Sequence, residues 1–148
     1  MNIEHSLDMV ANIKGAFAAA IVDYDSGMSL GSRGGSPEFD LDVAAPGNSE
    51  VVRTKFEVME KLGLREGIED ILITLDTQYH LIRPIRGNNE EKLFFYLVLN
   101  RAQANLAMAR RDLRVIEQQF YMAAPGVKSG RPSPGGDSQA FFPANAGR

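Results

Sequence analysis

The sequence predicts an α+β domain with the element order α-β-β-α-β-β-β-α, in which neighbouring strands are joined by hairpins. Apolar residues fill positions 16–22 without interruption, and positions 93–99 contain three consecutive aromatic residues. Three other stretches show apolar residues at helical spacing. Because several strands follow one another directly, the pattern differs from the alternating βαβ order of a parallel sheet.

The first half begins with a short helix, since Ile3, Leu7 and Val10 lie on one helical face. Residues 16–23 predict a strand that is buried on both faces because no polar residue alternates with the apolar ones. Asp25-Ser26-Gly27 is typical of a tight hairpin turn, so residues 28–33 are expected to form the partner strand.

Pro46-Gly47-Asn48 interrupts the chain before the second helix. Asn48 or Ser49 can cap a helix that begins at Glu50 and ends at Gly63. The sequence leaves open whether residues 42–45 form an additional turn before this break. The apolar stripe of the helix consists of Val52, Phe56, Met59 and Leu62.

Three strands follow, over residues 71–75, 79–84 and 93–99, with a tight connection at 76–78. Asn100 is expected to cap the last helix, with Gln103 at the spacing of a capping box. The apolar stripe of that helix is Leu106, Ala109, Leu113, Ile116 and Phe120. Residues 1–121 are therefore interpreted as one domain. Residues 122–148, with five Gly and four Pro, are predicted to be a disordered tail.

The composition excludes several functional classes. A net charge of -3 argues against nucleic-acid binding, and the absence of cysteine excludes disulfides and thiolate metal sites. The longest apolar run, residues 16–22, is far shorter than the roughly 20 residues that span a bilayer. We therefore expect a cytoplasmic protein without membrane insertion, metal or cofactor.

Asp23-Tyr24-Asp25 at the end of an apolar strand is the most suggestive chemical motif. Haloacid-dehalogenase phosphotransferases present a nucleophilic aspartate and a magnesium ligand in this way. Here Gly27 stands where Thr or Val is usual, and a short strand follows instead of a crossover helix. The motif is therefore interpreted as a turn, and phosphotransfer stays the weakest functional hypothesis.

No other cluster assembles a nucleophile, a base and a stabilising group. His80 stands alone in a predicted strand, which favours a structural role. Arg110, Arg111 and Arg114 are interleaved with acidic residues on the last helix, which favours a solvated face over a phosphate site. We predict no catalytic residue and no enzymatic activity.

Taken in order along residues 1–121, several stretches resemble the Roadblock family of dynein light-chain-related proteins. None is specific alone; the ordered series carries the resemblance, while Pro46-Gly47 is a departure that implies a shortened second helix. The stretches are Gly15-Ala16, Ile21-Val22-Asp23, Ser26-Gly27, Gly31, Glu50-Val51-Val52-Arg53, 68–75, 79–84, 93–100 and Ala104-Asn105-Leu106-Ala107.

The resemblance implies a five-stranded antiparallel sheet, with the long helix on one face and the two terminal helices on the other. It also implies a non-enzymatic regulatory or scaffold module that forms homodimers or heterodimers. Bacterial members commonly pair with small Ras-like GTPases, in some cases as GTPase-activating partners. The alternative hypothesis is a small-molecule sensor of longin or profilin type that uses the cleft between sheet and helix.

A homodimer interface is predicted at one edge of the sheet. The run 71–75 has β-favouring side chains and lacks the Pro, Lys or inward charge that protects exposed edges in monomers. In the Roadblock arrangement this strand is the edge at which two copies pair. The interface residues are expected to be Val52, Phe56 and Met59 from the long helix, with Ile71, Ile73 and Leu75 from the strand.

Overall fold

The computed structural model describes residues 2–86 and 92–123 and contains the predicted elements in the predicted order. Strand boundaries agree with the expected ones to within one residue. The predicted tail lies outside the described residues except for Met122 and Ala123, which end the last helix. The elements are α1 (Ile3–Ala11), β1 (Ala16–Asp23), β2 (Ser29–Gly34), α2 (Leu41–Lys61), β3 (Ile71–Thr74), β4 (Gln78–Pro84), β5 (Leu93–Asn100) and α3 (Leu106–Ala123).

The five strands form one antiparallel sheet in the order β2-β1-β5-β4-β3. Strands β1 and β5, far apart in sequence, pair along nearly their whole length at its centre. The two edges are β2 and β3, so the expected edge position of residues 71–74 is confirmed.

Alternation along the central strands separates two cores. Ala19 and Ile21 of β1 pack with α1 and α3, whereas Ala18, Ala20 and Val22 pack with α2. In β5 the odd-numbered residues face α1 and α3, and the even-numbered residues face α2. This confirms that the long helix covers one face of the sheet and the terminal helices the other.

The predicted start of α2 at Glu50 is wrong, because the helix begins at Leu41 and contains Pro46. Asp40 caps it by accepting a hydrogen bond from the Asp42 backbone N–H at 2.9 Å. Pro46 removes one helical hydrogen bond, but Leu41 and Ala45 are buried against the sheet and hold the first turns in place. Tertiary packing thus overrides the local break.

The expected cap of the last helix is also wrong. The Asn100 side chain accepts from the Ala102 N–H at 2.9 Å and stabilises a turn, not a helix. The cap is Asn105, five residues later, which accepts from the Met108 N–H at 3.1 Å, and the helix begins at Leu106. The intervening chain passes so close to Gly15 that a Cβ there would lie 2.9 Å from Ala104.

Candidate interaction surface

The carboxylate of Asp23 is occupied by the turn that follows β1. Its Oδ1 atom accepts hydrogen bonds from the backbone N–H groups of Asp25 at 2.8 Å and Ser26 at 3.3 Å. Gly27 has a φ of 81°, a conformation that glycine adopts without strain. Among the described residues no group of three or more His, Cys, Asp or Glu side chains could hold a metal ion. The geometry therefore supports the turn interpretation.

The three arginines on α3 face acidic side chains. Arg110 binds Asp70 through two nitrogens, at 2.8 and 3.0 Å, and Arg111 pairs with Asp112 at 3.1 Å. Arg114 lies 3.9 Å from Glu69. Because each guanidinium already has a carboxylate partner, these residues form a mixed-charge face and not a phosphate site.

The cleft between α2 and the sheet is filled by core side chains. Val52, Phe94 and Val98 are fully buried there, and Tyr96 is 2% exposed. Two surface grooves lie along α2, one on its exposed face and one at its C-terminal end. One, of about 440 Å³, is lined by Glu50, Val51, Thr54, Lys55 and Val58. The other, of about 410 Å³, is lined by Phe56, Met59, Glu60, Gly63, Leu64, Arg65 and Glu66.

Within the described residues, the outward backbone groups of the edge strand β3 have no strand partner. Leu75 donates its N–H to the Gln78 carbonyl at 2.8 Å, so its backbone faces β4. Because backbone direction alternates along an antiparallel strand, Ile73 also faces β4, whereas Leu72 and Thr74 direct their N–H and C=O groups outward. The side chains of Ile73 and Leu75 are 36% and 43% exposed.

The predicted interface residues on α2 lie mostly inside the protomer. Val52 is 0% exposed and Met59 7%, so both contribute to the core beneath the helix. Phe56 is half-buried and stacks on Tyr24, with ring centroids 5.9 Å apart. The apolar side chains exposed along this segment are Val51 and Val58 of α2 and its C-cap residue Leu62.

These three exposed side chains lie on the flank of α2 opposite the one that reaches the end of β1. Arg53 bonds the Tyr24 carbonyl at the end of β1, which fixes the opposite flank. At 100° per residue, Val51 and Val58 lie far from Arg53 around the helix, and the C-cap residue Leu62 continues the same flank. We call Val51, Val58, Leu62, Ile73 and Leu75 the edge patch.

Comparison with known proteins connects this geometry to a fold. No family model matches the sequence, and no curated protein matches it either. A Roadblock/LC7 domain from Streptomyces avermitilis superposes with a TM-score of 0.67 at 12% identity, covering 81% of this chain and 95% of that one.

Two MglB structures are similar as well. MglB from Myxococcus xanthus gives a TM-score of 0.70 at 13% identity, over 80% of this chain and 91% of that one. An MglB with a tetrameric arrangement gives 0.69 at 14% identity, over 84% and 90%. The chain therefore has the Roadblock/LC7 fold, which confirms at the level of structure the resemblance found in the sequence. Within the residues that the structure describes, no helix is long and apolar enough to cross a membrane.

Proposed function

We propose that the chain is a non-enzymatic, homodimeric regulatory module that binds a small Ras-like GTPase. The observation that carries the dimer is the edge patch: β3 is an edge strand with outward backbone groups, and both β3 and one flank of α2 expose apolar side chains. Monomeric proteins normally protect such an edge with charge, proline or a covering segment. The GTPase is proposed from the Roadblock fold, whose bacterial members commonly act with such partners.

The outward groups of β3 define a register for the dimer. If a two-fold axis passes through Ile73, Leu72 forms a hydrogen-bonded pair with the partner's Thr74, and the reverse pair forms by symmetry. Ile73 then lies opposite its own copy, in a non-hydrogen-bonded pair with Cα atoms about 4.5 Å apart. The same axis brings the exposed flanks of the two α2 helices toward each other.

Light scattering tests the dimer with matched charge substitutions on the two edge strands. We expect the wild type to have twice the 16.2 kDa chain mass at micromolar concentration, and Ile73→Lys to be monomeric. Leu30→Lys on β2 is the control, because Leu30 is 43% exposed on the other edge. A wild type that stays monomeric, or a control that dissociates as readily, would contradict the proposed interface.

A second pair of variants tests the helix flank. Val58 on α2 and Val115 on α3 have nearly equal exposure, 40% and 42%. Val58→Glu should dissociate the dimer because it introduces two desolvated charges across the axis, whereas Val115→Glu should not. Phe56→Glu is not used, since its half-buried ring packs on Tyr24 and the substitution would disturb the protomer itself.

The register can be measured directly because the chain contains no cysteine. Ile73→Cys should form a disulfide-linked dimer readily, as the two Cβ atoms would approach within bonding range. Leu75→Cys is the control: in the same register its two copies lie four residues apart along the paired strands, about 13 Å. Efficient cross-linking of Leu75→Cys with none at Ile73→Cys would reject this register.

GTPase binding is tested with purified small GTPases from the source cell. Each is loaded with GDP or a non-hydrolysable GTP analogue and titrated with the wild type and with Ile73→Lys. We expect one nucleotide state to bind at least tenfold more tightly, since only a difference in affinity can regulate. Equal affinities would reduce the chain to a passive scaffold, and no binding to any of them would end the GTPase proposal.

A further inference from the structure

A charged side chain occupies the outward backbone of β2, the second edge strand of the sheet. Gly35 donates its N–H to the Phe17 carbonyl at 3.0 Å, so the backbone of Gly35 faces β1. By the alternation of an antiparallel pair, Arg33 also faces β1, and Ser32 directs its N–H and C=O away from the sheet. Ser32 is therefore a residue through which a further strand would have to pair.

The part of β2 that could accept a further strand is short. The register with β1 shifts between Ile21 and Val22, and such a bulge bends and twists the strand that carries it. At the other end of β2, Gly34 has a φ of 74°, outside the extended region. Residues 31–33 are left as the regular part of this edge, with Ser32 at their centre.

The Arg33 guanidinium binds the outward carbonyl of Ser32, with Nη1 2.8 Å from the oxygen. Two acidic residues of α1 hold the guanidinium there. Nε donates to Asp8 Oδ1 at 2.8 Å, and Nη2 donates to Glu4 Oε1 at 2.6 Å and to the Glu4 carbonyl at 3.3 Å. Since each of its three nitrogens has an acceptor, the planar group is fixed in this position. We call Arg33, Glu4 and Asp8 the edge block.

The edge block stands where a further strand would have to lie. Neighbouring strands are about 4.8 Å apart, and each bonds the carbonyl groups that the other directs toward it. At 2.8 Å from the Ser32 carbonyl oxygen, the guanidinium takes the place of the incoming N–H. Charged side chains on an edge are a means by which proteins prevent strand addition.

Strand β3 differs from β2 in this respect. Its side chains are uncharged, and among the described residues no side-chain hydrogen bond goes to the backbone of Leu72 or Thr74, whose groups point outward. The Arg101 guanidinium binds the Leu75 carbonyl at 2.7 Å, one residue beyond the end of the strand. Of the two edges, β2 thus carries a charged group on its outward backbone and β3 carries none within the described residues.

We propose that the edge block determines where the assembly of this chain ends: Arg33 prevents a second copy from pairing at β2. This follows from the hydrogen bonds of Arg33 and does not depend on any pairing at β3. The stop at two copies rests on the proposed function, because a free β2 would let dimers add to one another end to end. Arg33 thus sets the size of the assembly without belonging to the dimer interface.

Light scattering in the Ile73→Lys background isolates the β2 edge. Arg33→Ala should associate there as concentration rises, whereas the parent variant should stay monomeric. Because Arg33→Ala leaves Glu4 and Asp8 without their partner, the solution contains about 1 M salt, which screens charges beyond about 3 Å. Asp8→Asn is the control, since it weakens the attachment of α1 but leaves Arg33 on Ser32. Equal association of Asp8→Asn and Arg33→Ala would overturn the proposal, and so would no association of either.

A cysteine substitution measures the contact directly, because the chain contains no cysteine. In a two-fold pairing centred on Ser32, its two Cα atoms lie about 5.5 Å apart, within the range of a disulfide. Arg33→Met keeps the aliphatic stem but has no donor. At micromolar concentration Ser32→Cys/Arg33→Met should cross-link about tenfold faster than Ser32→Cys, since paired thiols have an effective concentration on the order of 1 mM. Equal rates would reject the edge block.

Two controls identify other causes of faster cross-linking. Alkylation of the Ser32→Cys thiol by iodoacetamide, with and without Arg33→Met, corrects for the effect of the guanidinium on thiol reactivity. Asp25→Cys, on the exposed turn before β2, reports random collisions and should not respond to Arg33→Met. A response as large as that of Ser32→Cys would indicate non-specific association and count against the proposal.

The chain that retains Ile73 separates the edge block from the dimer. If both proposals hold, the wild type is a dimer and Arg33→Ala exceeds twice the chain mass as concentration rises. A monomeric wild type that becomes a dimer in Arg33→Ala supports the edge block and refutes the proposed dimer. A wild-type dimer that keeps its mass in Arg33→Ala, with equal cross-linking rates at Ser32→Cys, refutes the edge block alone.

Discussion

Removal of the Glu117 carboxylate should destabilise the domain more than most single changes outside the core, because it ends a buried ion pair. Glu117 of α3 and Arg83 of β4 are each 5% exposed, and Arg83 Nε lies 2.7 Å from Glu117 Oε1. The other carboxylate oxygen accepts from the backbone N–H of Arg86 at 3.0 Å. The Glu117 carboxylate therefore accepts hydrogen bonds from two groups, the Arg83 guanidinium on β4 and the Arg86 backbone N–H just after it.

The expected cost follows from what each variant leaves unpaired. Among the described residues, Glu117→Leu leaves Arg83 with one carboxylate partner, Glu69 at 4.0 Å. Loss of one partner of a buried ion pair typically lowers the free energy of unfolding by about 3–5 kcal/mol. We take this range to include the cost of leaving the Arg86 N–H without its acceptor. The double variant Arg83→Met/Glu117→Leu removes both charges. It should cost only about 1–3 kcal/mol, most of it from the unpaired N–H of Arg86.

Equilibrium urea unfolding at one fixed protein concentration measures these differences. Glu117→Leu should lower the free energy of unfolding more than the double variant does, with an unchanged dependence on urea. Arg111→Leu, which removes an exposed ion pair with Asp112, should cost less than about 1 kcal/mol. A double variant that costs the sum of its two single variants would refute this reasoning, since the charges would then act independently.

Other predictions concern single positions. The Ser6 hydroxyl is buried without a hydrogen-bond partner among the described residues, so Ser6→Ala should raise stability by about 1 kcal/mol in the same urea assay. Gly34 and Gly63 share a φ of 74°, but only at Gly34 would a Cβ meet other backbone; Gly34→Ala should therefore lower the melting temperature well beyond Gly63→Ala. Because the pKa of His80 is below its unfolded value of about 6.5, its contribution to stability is complete above that pH and is lost as pH falls through the folded pKa. Urea midpoints measured from pH 7.5 to 5.0 should accordingly fall less in His80→Gln than in the wild type.

The order and type of the elements could be predicted from the sequence because each long element carries a strong local signal. The seven residues 93–99 are all buried in the structure, and their unbroken apolar character already indicates a strand covered on both faces. The start of α2 could not be found in the same way. Pro46 and Gly47 are strong local breakers, and what overcomes them is the burial of Leu41 and Ala45 by strands that are distant in sequence.

The helix residues that the sequence predicts for the interface lie on the side of α2 that packs on the sheet. Periodicity identifies the most apolar face of a helix, and in α2 that face, with Val52 and Met59, packs on the protomer's own sheet. The exposed flank carries Val51 and Val58, seven residues or about two turns apart. Two apolar residues at this spacing indicate an exposed interface less clearly than the main apolar stripe indicates the core. They can be interpreted only after the structure shows which side of the helix packs on the sheet.

The pairing of β1 with β5 has a consequence for synthesis on the ribosome. Strand β1 is apolar on both faces, yet its partner β5 is about 75 residues further along the chain. At typical translation rates of about 5–20 residues per second, β1 is complete roughly 4–15 s before β5 exists. During that interval one side of β1 can pair with β2 while its other side remains open. The nascent chain therefore carries an apolar strand with one open edge throughout the translation of α2, β3 and β4. During this interval it is most exposed to aggregation or to capture by a chaperone.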